Sequence, residues 1–114
     1  MKLINTKNNS VTADKLTIAN NPFSRSKGLL GKAGLNKGEG LHIIPCNCIH
    51  SCFMKFKFDA VFINKKNEVV YLIEKMPAWQ FSKVYFQAHS VIELPAGTIK
   101  ETEIRIGDVL EFIN

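Results

Sequence analysis

A chain of 114 residues with 46% hydrophobic and 22% charged side chains can build a hydrophobic core without disulfides or metal, which excludes disorder, fibrous repeats and staple-dependent miniproteins. The formal net charge is +5, and the excess is local: Lys2, Lys7, Lys15, Arg25, Lys27, Lys32 and Lys37 stand against Asp14 and Glu39 in the first 40 residues, while the remainder balances. Only two of the fifteen basic residues are arginine, so nucleic-acid recognition through this basic third is not expected and ranks last among the functional readings.

Taken in order, Lys2 to Asn5 and Leu16 to Ala19 alternate like strands and read as two short edge strands or one hairpin, after a loose N-terminal arm. A short helix is expected from about Pro22 to Leu30, because Asn21 can cap it, Pro22 suits a first helical position, and Phe23, Leu29 and Leu30 supply an apolar face. Gly31 and Gly34 would end it. The glycines of GKAGLNKGEG do not make a phosphate loop, which needs a GKS/T sequence and a long following helix.

The remainder reads as β-rich. Leu41 to Pro45 is a buried-strand pattern, and Asp59 to Ile63 should pair with Glu68 to Met76 across the NKKN turn. AHSVIELP is a strand ended by Pro95, Ala96 and Gly97, TIKETEIRI reads equally as one helical turn or a loop, and GDVLEFI closes the series. Short strands without alternating long helices predict a mainly β domain over residues 1–114, a small antiparallel barrel or sandwich with one short helix near residues 22–30.

The segment CNCIHSCFMKFKFD, Cys46 to Asp59, is the densest in chemistry. Extended, it would place Cys46, Cys48, His50, Cys52, Met54, Phe56 and Phe58 on one face and form one wall of the domain. As zinc ligands, Cys46, Cys48, His50 and Cys52 lack paired CxxC spacing, and strand residues two apart lie roughly 6.5 to 7 Å from each other. No metal or other cofactor is expected, and buried, inert thiols beside a hydrogen-bonded His50 are the preferred reading. All three cysteines sit in this segment, and no run approaches the roughly 18 to 20 apolar residues of a membrane span, nor does the N-terminus resemble a secretory signal. A cytoplasmic protein with no membrane partner is the expectation.

The blocks SRSKGLLGK, GEGLHIIPCNCIHSCFMKFKFDAVFI, VIELPAGT and a C-terminal GD resemble, over about residues 20 to 112, the bacterial and archaeal family known as domain of unknown function 192. The resemblance implies a compact, mainly β domain with a short helix and implies no established activity. Arg25 with Gly28, Leu29 and Leu30, Gly38 to Leu41, Cys46 and His50 with Phe53, Met54, Lys55 and Asp59, Glu93, Leu94, Ala96 and Gly97, and Gly107 with Asp108 match its pattern, and Trp79 stands where an aromatic is familiar. Two departures are Lys57, where proline is usual, and Cys48 with Cys52, where small or apolar residues are common, so no mechanism that needs all three thiols follows from the resemblance.

Asp59 and Asp108 read as turn residues, and Glu93, on an apolar strand, needs a partner such as Arg25 or Lys55. Trp79 and Phe81 would form a flap or a pocket rim. The leading functional reading is a small binding module with a pocket near His50 and Trp79, in which Arg25 or Lys55 orients a polar or anionic ligand or a segment of a partner protein. Ligand-contacting candidates are Arg25, Cys46, His50, Lys55, Asp59, Trp79 and Glu93. The alternative is an enzyme using Cys46 or His50 with Asp59 or Glu93.

Overall fold

A computed structural model of the chain describes residues 1–29 and 32–114. The domain is mainly β, as the sequence predicts. Eight strands, β1 (Lys2–Asn5), β2 (Ser10–Ala13), β3 (Lys15–Ala19), β4 (Glu39–Ile43), β5 (Phe58–Ile63), β6 (Val69–Met76), β7 (Ser90–Pro95) and β8 (Leu110–Ile113), are joined by two short helices, α1 (Pro22–Lys27) and α2 (Thr98–Thr102). They form a three-stranded sheet of order β2-β1-β8 and a five-stranded sheet of order β3-β4-β7-β5-β6, and neither closes into a barrel.

The larger sheet is the middle layer. On β5 every residue is buried, and alternation sends Val61 and Ile63 to one side and Phe58, Ala60 and Phe62 to the other. The first side packs with Leu3 of β1, Leu110 of β8, and Ile99 and Ile104 to form the core against the smaller sheet. On the second side, Leu29, Ile49 and Met54 cover the sheet from irregular segments, and that is the layer in which the candidate site lies.

Three expectations are corrected. The hairpin partner of β1 is β2, hidden in a polar stretch, and β1 is the centre of its sheet, not an edge; Leu3 is fully buried and the Met1 carbonyl accepts from Leu16 N, so the arm is not loose. β3 instead joins the larger sheet and pairs parallel to β4, so the domain is not purely antiparallel. The face expected over residues 46–58 is not a strand wall: only Phe58 enters a strand, and the rest is loop, because its backbone finds partners in residues 79–89 and not in the sheet.

Other local expectations hold in part: the cap of α1 and the β5–β6 turn form as expected, but Phe23, expected on the apolar face of the helix, is 80% exposed. Asn21 Oδ1 accepts from Ser24 N and Asn21 N donates to Ser24 Oγ, a reciprocal cap that starts α1 just ahead of Pro22. The helix ends sooner than expected, at Gly28, whose φ of 48° favours glycine; the predicted end at Leu30 and Gly31 lies outside the described residues. TIKETEIRI resolves into α2 followed by a turn. In the β5–β6 turn, Asn64 Oδ1 accepts from the amides of Lys66 and Glu68.

Candidate functional site

A cavity of about 330 Å³ lies between α1, the chain from Pro45 to Met54, and the central strand β7. Arg25, Cys46, His50 and Glu93 line it together, with apolar walls from Leu29, Ile43, Ile49 and Met54. Four of the seven residues singled out in the sequence therefore meet at one place.

Glu93 comes from the middle of the sheet. Its neighbours across β4 and β5 are Leu41 and Ala60, so the strand pleat aims the side chain at the α1 side, where it is 5% exposed. The expected ion pair is not formed: among the described residues no cation lies within 4 Å of its carboxylate, and the ion pair observed is the exposed Lys37–Glu101 contact at 2.8 Å. Burial in this apolar wall pushes the Glu93 carboxyl up to about 8, so at neutral pH it holds its proton and can both donate and accept a hydrogen bond.

Arg25 reaches the cavity from the last turn of α1. One Nη donates to the Pro45 carbonyl at 3.3 Å, while Nε is buried without a partner. Leaving a buried guanidinium donor unmet is costly, so this atom marks a place where an acceptor would be favoured. Gly28 follows, and its Cβ position would lie 3.9 Å from Glu93 Oε1, so its backbone conformation rather than crowding selects glycine.

The thiol chemistry is muted. Cys46 Sγ donates to the Cys48 carbonyl at 3.0 Å, and burial pushes its thiol up from the ordinary value, away from the reactive thiolate. His50 accepts the Cys52 amide on Nδ1 at 3.2 Å, which assigns the proton of its neutral ring to Nε2. No hydrogen bond joins Cys46 to His50. Among the described residues no three His, Cys, Asp or Glu side chains converge as a metal cluster; Cys48 is exposed, and Cys46, Cys48 and Cys52 are all free.

The other three candidates lie apart from the cavity lining. Asp59 is fully buried, and its carboxylate accepts from the amides of Lys75, Gly97 and Ile99 at 2.8 to 3.1 Å, which makes it the tie between β5, β6 and α2. Lys55 is exposed on the loop. Trp79 is exposed and packs its ring on Phe53 at 4.5 Å.

Sequence reasoning missed Ser51, which is fully buried and organises the loop that bounds the cavity. Its Oγ donates to the Pro77 carbonyl and accepts from Gln80 N, and its backbone exchanges bonds with Trp79 and Gln80. No local signal marks it, because a single serine between His50 and Cys52 reads the same whether it is buried or exposed. His42 was likewise unforeseen: it faces the smaller sheet, bonded to Ser90 Oγ at 2.9 Å and stacked on Phe112 at 4.7 Å.

Comparison with known proteins adds a family and a fold. The family model described as DUF192, Uncharacterized ACR, matches residues 3–112. A UPF0127 protein of Thermococcus sibiricus is 30% identical over 115 residues, covering 96% of this chain and 73% of its own. Another UPF0127 protein, from Pyrococcus furiosus, is 34% identical over 64 residues, covering 56% of this chain and 54% of its own. A crystal structure of a protein of unknown function from Novosphingobium aromaticivorans superposes with a TM-score of 0.84 at 17% identity, over 97% of this chain and 82% of that one. A second, from Sinorhizobium meliloti and named for a suggested role as a transcription regulator, gives 0.79 at 22% identity, over 96% and 89%. At these identities the two structures speak for the fold alone.

Proposed function

The chain belongs to the DUF192 family of uncharacterised proteins, and within it we propose that it acts as a small binding module whose ligand enters the cavity between α1 and β7. The observation that carries this reading is Glu93: a carboxyl, more than nine-tenths buried on a central strand, that faces a cavity and has no hydrogen-bond or ion-pair partner among the described residues. Folding bears the cost of burying such a group, and a ligand hydrogen bond would recover it.

The chemistry of the lining favours a small ligand with a polar or anionic head and a short apolar body. With Glu93 protonated, Arg25 and Lys27 leave the wall positive. A carboxylate or similar oxyanion could accept from the Glu93 hydroxyl and the Arg25 guanidinium while its apolar part meets Leu29, Ile43 and Met54. Turnover by a Cys46 nucleophile has less support, since the thiol is held protonated and His50 is not bonded to it. Three free thiols suit a reducing compartment such as the cytoplasm.

The test is an amide NMR titration with acetate, propionate, butyrate and inorganic phosphate. Saturable shifts at Gly28, Cys46 and Glu93, reduced by Arg25→Met, are expected. Unchanged signals at these three residues across the whole set would count against the cavity as a binding site for small anions.

A further inference from the structure

The cavity does not account for the aromatic side chains left in solvent on the neighbouring loops. Phe53 is 70% exposed, Trp79 59% and Phe81 77%, although burial of rings this large is among the strongest driving forces in folding. They share one surface. Residues 50–53 run beside residues 79–81 through the His50–Phe81 bridge and the Ser51 to Gln80 backbone bond of 2.9 Å, and the rings of Phe53 and Trp79 lie 4.5 Å apart.

Two further features bear on what meets this surface. Phe53 and Trp79 occupy backbone conformations with φ of 66° and 63°, which bulky side chains rarely adopt, so the turns present these rings against local preference. Along the chain, the charge flanking them has one sign: no acidic residue occurs between Glu39 and Asp59 or between Glu74 and Glu93, whereas Lys55, Lys57 and Lys83 are all exposed within a few residues of the rings.

We propose that this surface docks on an anionic phospholipid bilayer, with Phe53, Trp79 and Phe81 entering the interface and Lys55, Lys57 and Lys83 meeting the headgroups. Phenylalanine and tryptophan are favoured at the headgroup level, and each nearby lysine adds attraction to anionic lipid. A second copy of the chain would bring lysines against lysines. A nucleic acid would find rings raised on separate turns, without the flat stacking platform or the arginines that such partners use. Shallow docking requires no spanning segment, and among the described residues no helix is long and apolar enough to cross a membrane.

Trp79 is the only tryptophan, so its emission reports on this surface directly. Vesicles of phosphatidylcholine with phosphatidylglycerol should shift that emission to the blue and sediment the protein at low salt, and added salt should reverse both. Phe53→Ser with Phe81→Ser, and separately Lys55→Glu with Lys83→Glu, should each weaken partitioning about tenfold or more. All four positions are exposed, so neither pair threatens the fold, and an unchanged circular dichroism spectrum verifies it. No blue shift and no sedimentation with these vesicles would overturn the proposal, as would equal binding to phosphatidylcholine alone. Retention of a DNA or RNA oligomer without vesicle binding would assign the surface to nucleic acid instead.

Discussion

The amide of Ile99 donates to the carboxylate of Asp59 across 40 residues of chain, at 2.8 Å, and Gly97 N adds a second bond to the same oxygen at 3.1 Å. The other carboxylate oxygen takes Lys75 N at 2.8 Å, at the end of β6. Gly97, in the left-handed region, leads into α2 without any side-chain cap, so Asp59 supplies from the neighbouring strand the acceptor that a capping residue would otherwise provide.

Asp59→Ala should destabilise the domain by about 3 to 5 kcal/mol, because three backbone donors lose their acceptor in a buried place. Asp59→Asn, which keeps one acceptor oxygen and turns an amide NH₂ toward a donor, should fall between that variant and the parent. Urea unfolding measures both, and a loss below about 1 kcal/mol for the alanine variant would mean that water replaces the carboxylate there.

Glu93 sets a pH dependence of definite sign. Its carboxyl rises from an ordinary 4.5 to about 8 in the folded chain, so between those values the folded state keeps a proton that the unfolded state has released. The contribution is full below about 4.5 and is lost as pH climbs through 8. Glu93→Gln should therefore gain stability relative to the parent as pH rises from 5 to 8.5, by on the order of 3 to 5 kcal/mol. Unfolding curves for the two proteins that stay parallel over this range would contradict the burial account.

His42 acts in the opposite direction. Burial, with a smaller contribution from His89, lowers its imidazole from 6.5 to about 4, so the folded protein keeps it neutral beside Ser90 and Phe112. Its contribution to stability is full above 6.5 and is lost as pH falls through 4. An NMR titration of the ring protons, assigned by their disappearance in His42→Gln, should show no change until the pH nears 4. A midpoint near 6.5 would place the ring in solvent.

Thiol reactivity should follow position. Cys48 is exposed, whereas Cys46 is half-buried, donates to the Cys48 carbonyl and has its thiol pushed up by burial. Limited iodoacetamide treatment followed by peptide mass spectrometry should find Cys48 modified first and Cys46 at least about tenfold more slowly. Equal rates would indicate that the loop opens faster than the reagent attacks.

Much of the architecture was legible because its causes are local. The start of α1 follows from the Asn21 and Pro22 pair, and the β5–β6 hairpin follows from two apolar runs around Asn64 to Asn67. Pairing over longer distances was not legible. β2 has too few apolar residues to announce itself, and Leu16 to Ala19 alternates in the same way whether its partner is β1 or, as found, a parallel β4.

The site divides along the same line. Residue types and the family pattern picked out Arg25, Cys46, His50 and Glu93, which the cavity brings together, but the same reasoning included Asp59, Lys55 and Trp79, which lie elsewhere. An acidic residue on an apolar strand looks alike in both cases: among the described residues Asp59 finds three backbone amides and Glu93 finds none.

The sequence by itself determined the mainly β class, the capped helix and the family, because side-chain alternation, turn chemistry and capping act within a few residues. Only the tertiary structure decided that residues 46–57 form a loop and not a strand, that Glu93 is buried without a partner among the described residues, and that the rings of Phe53, Trp79 and Phe81 remain in solvent. Each of those depends on which distant backbone supplies a hydrogen bond or covers a side chain. In the loop that supplier is residues 77–89, held through Ser51.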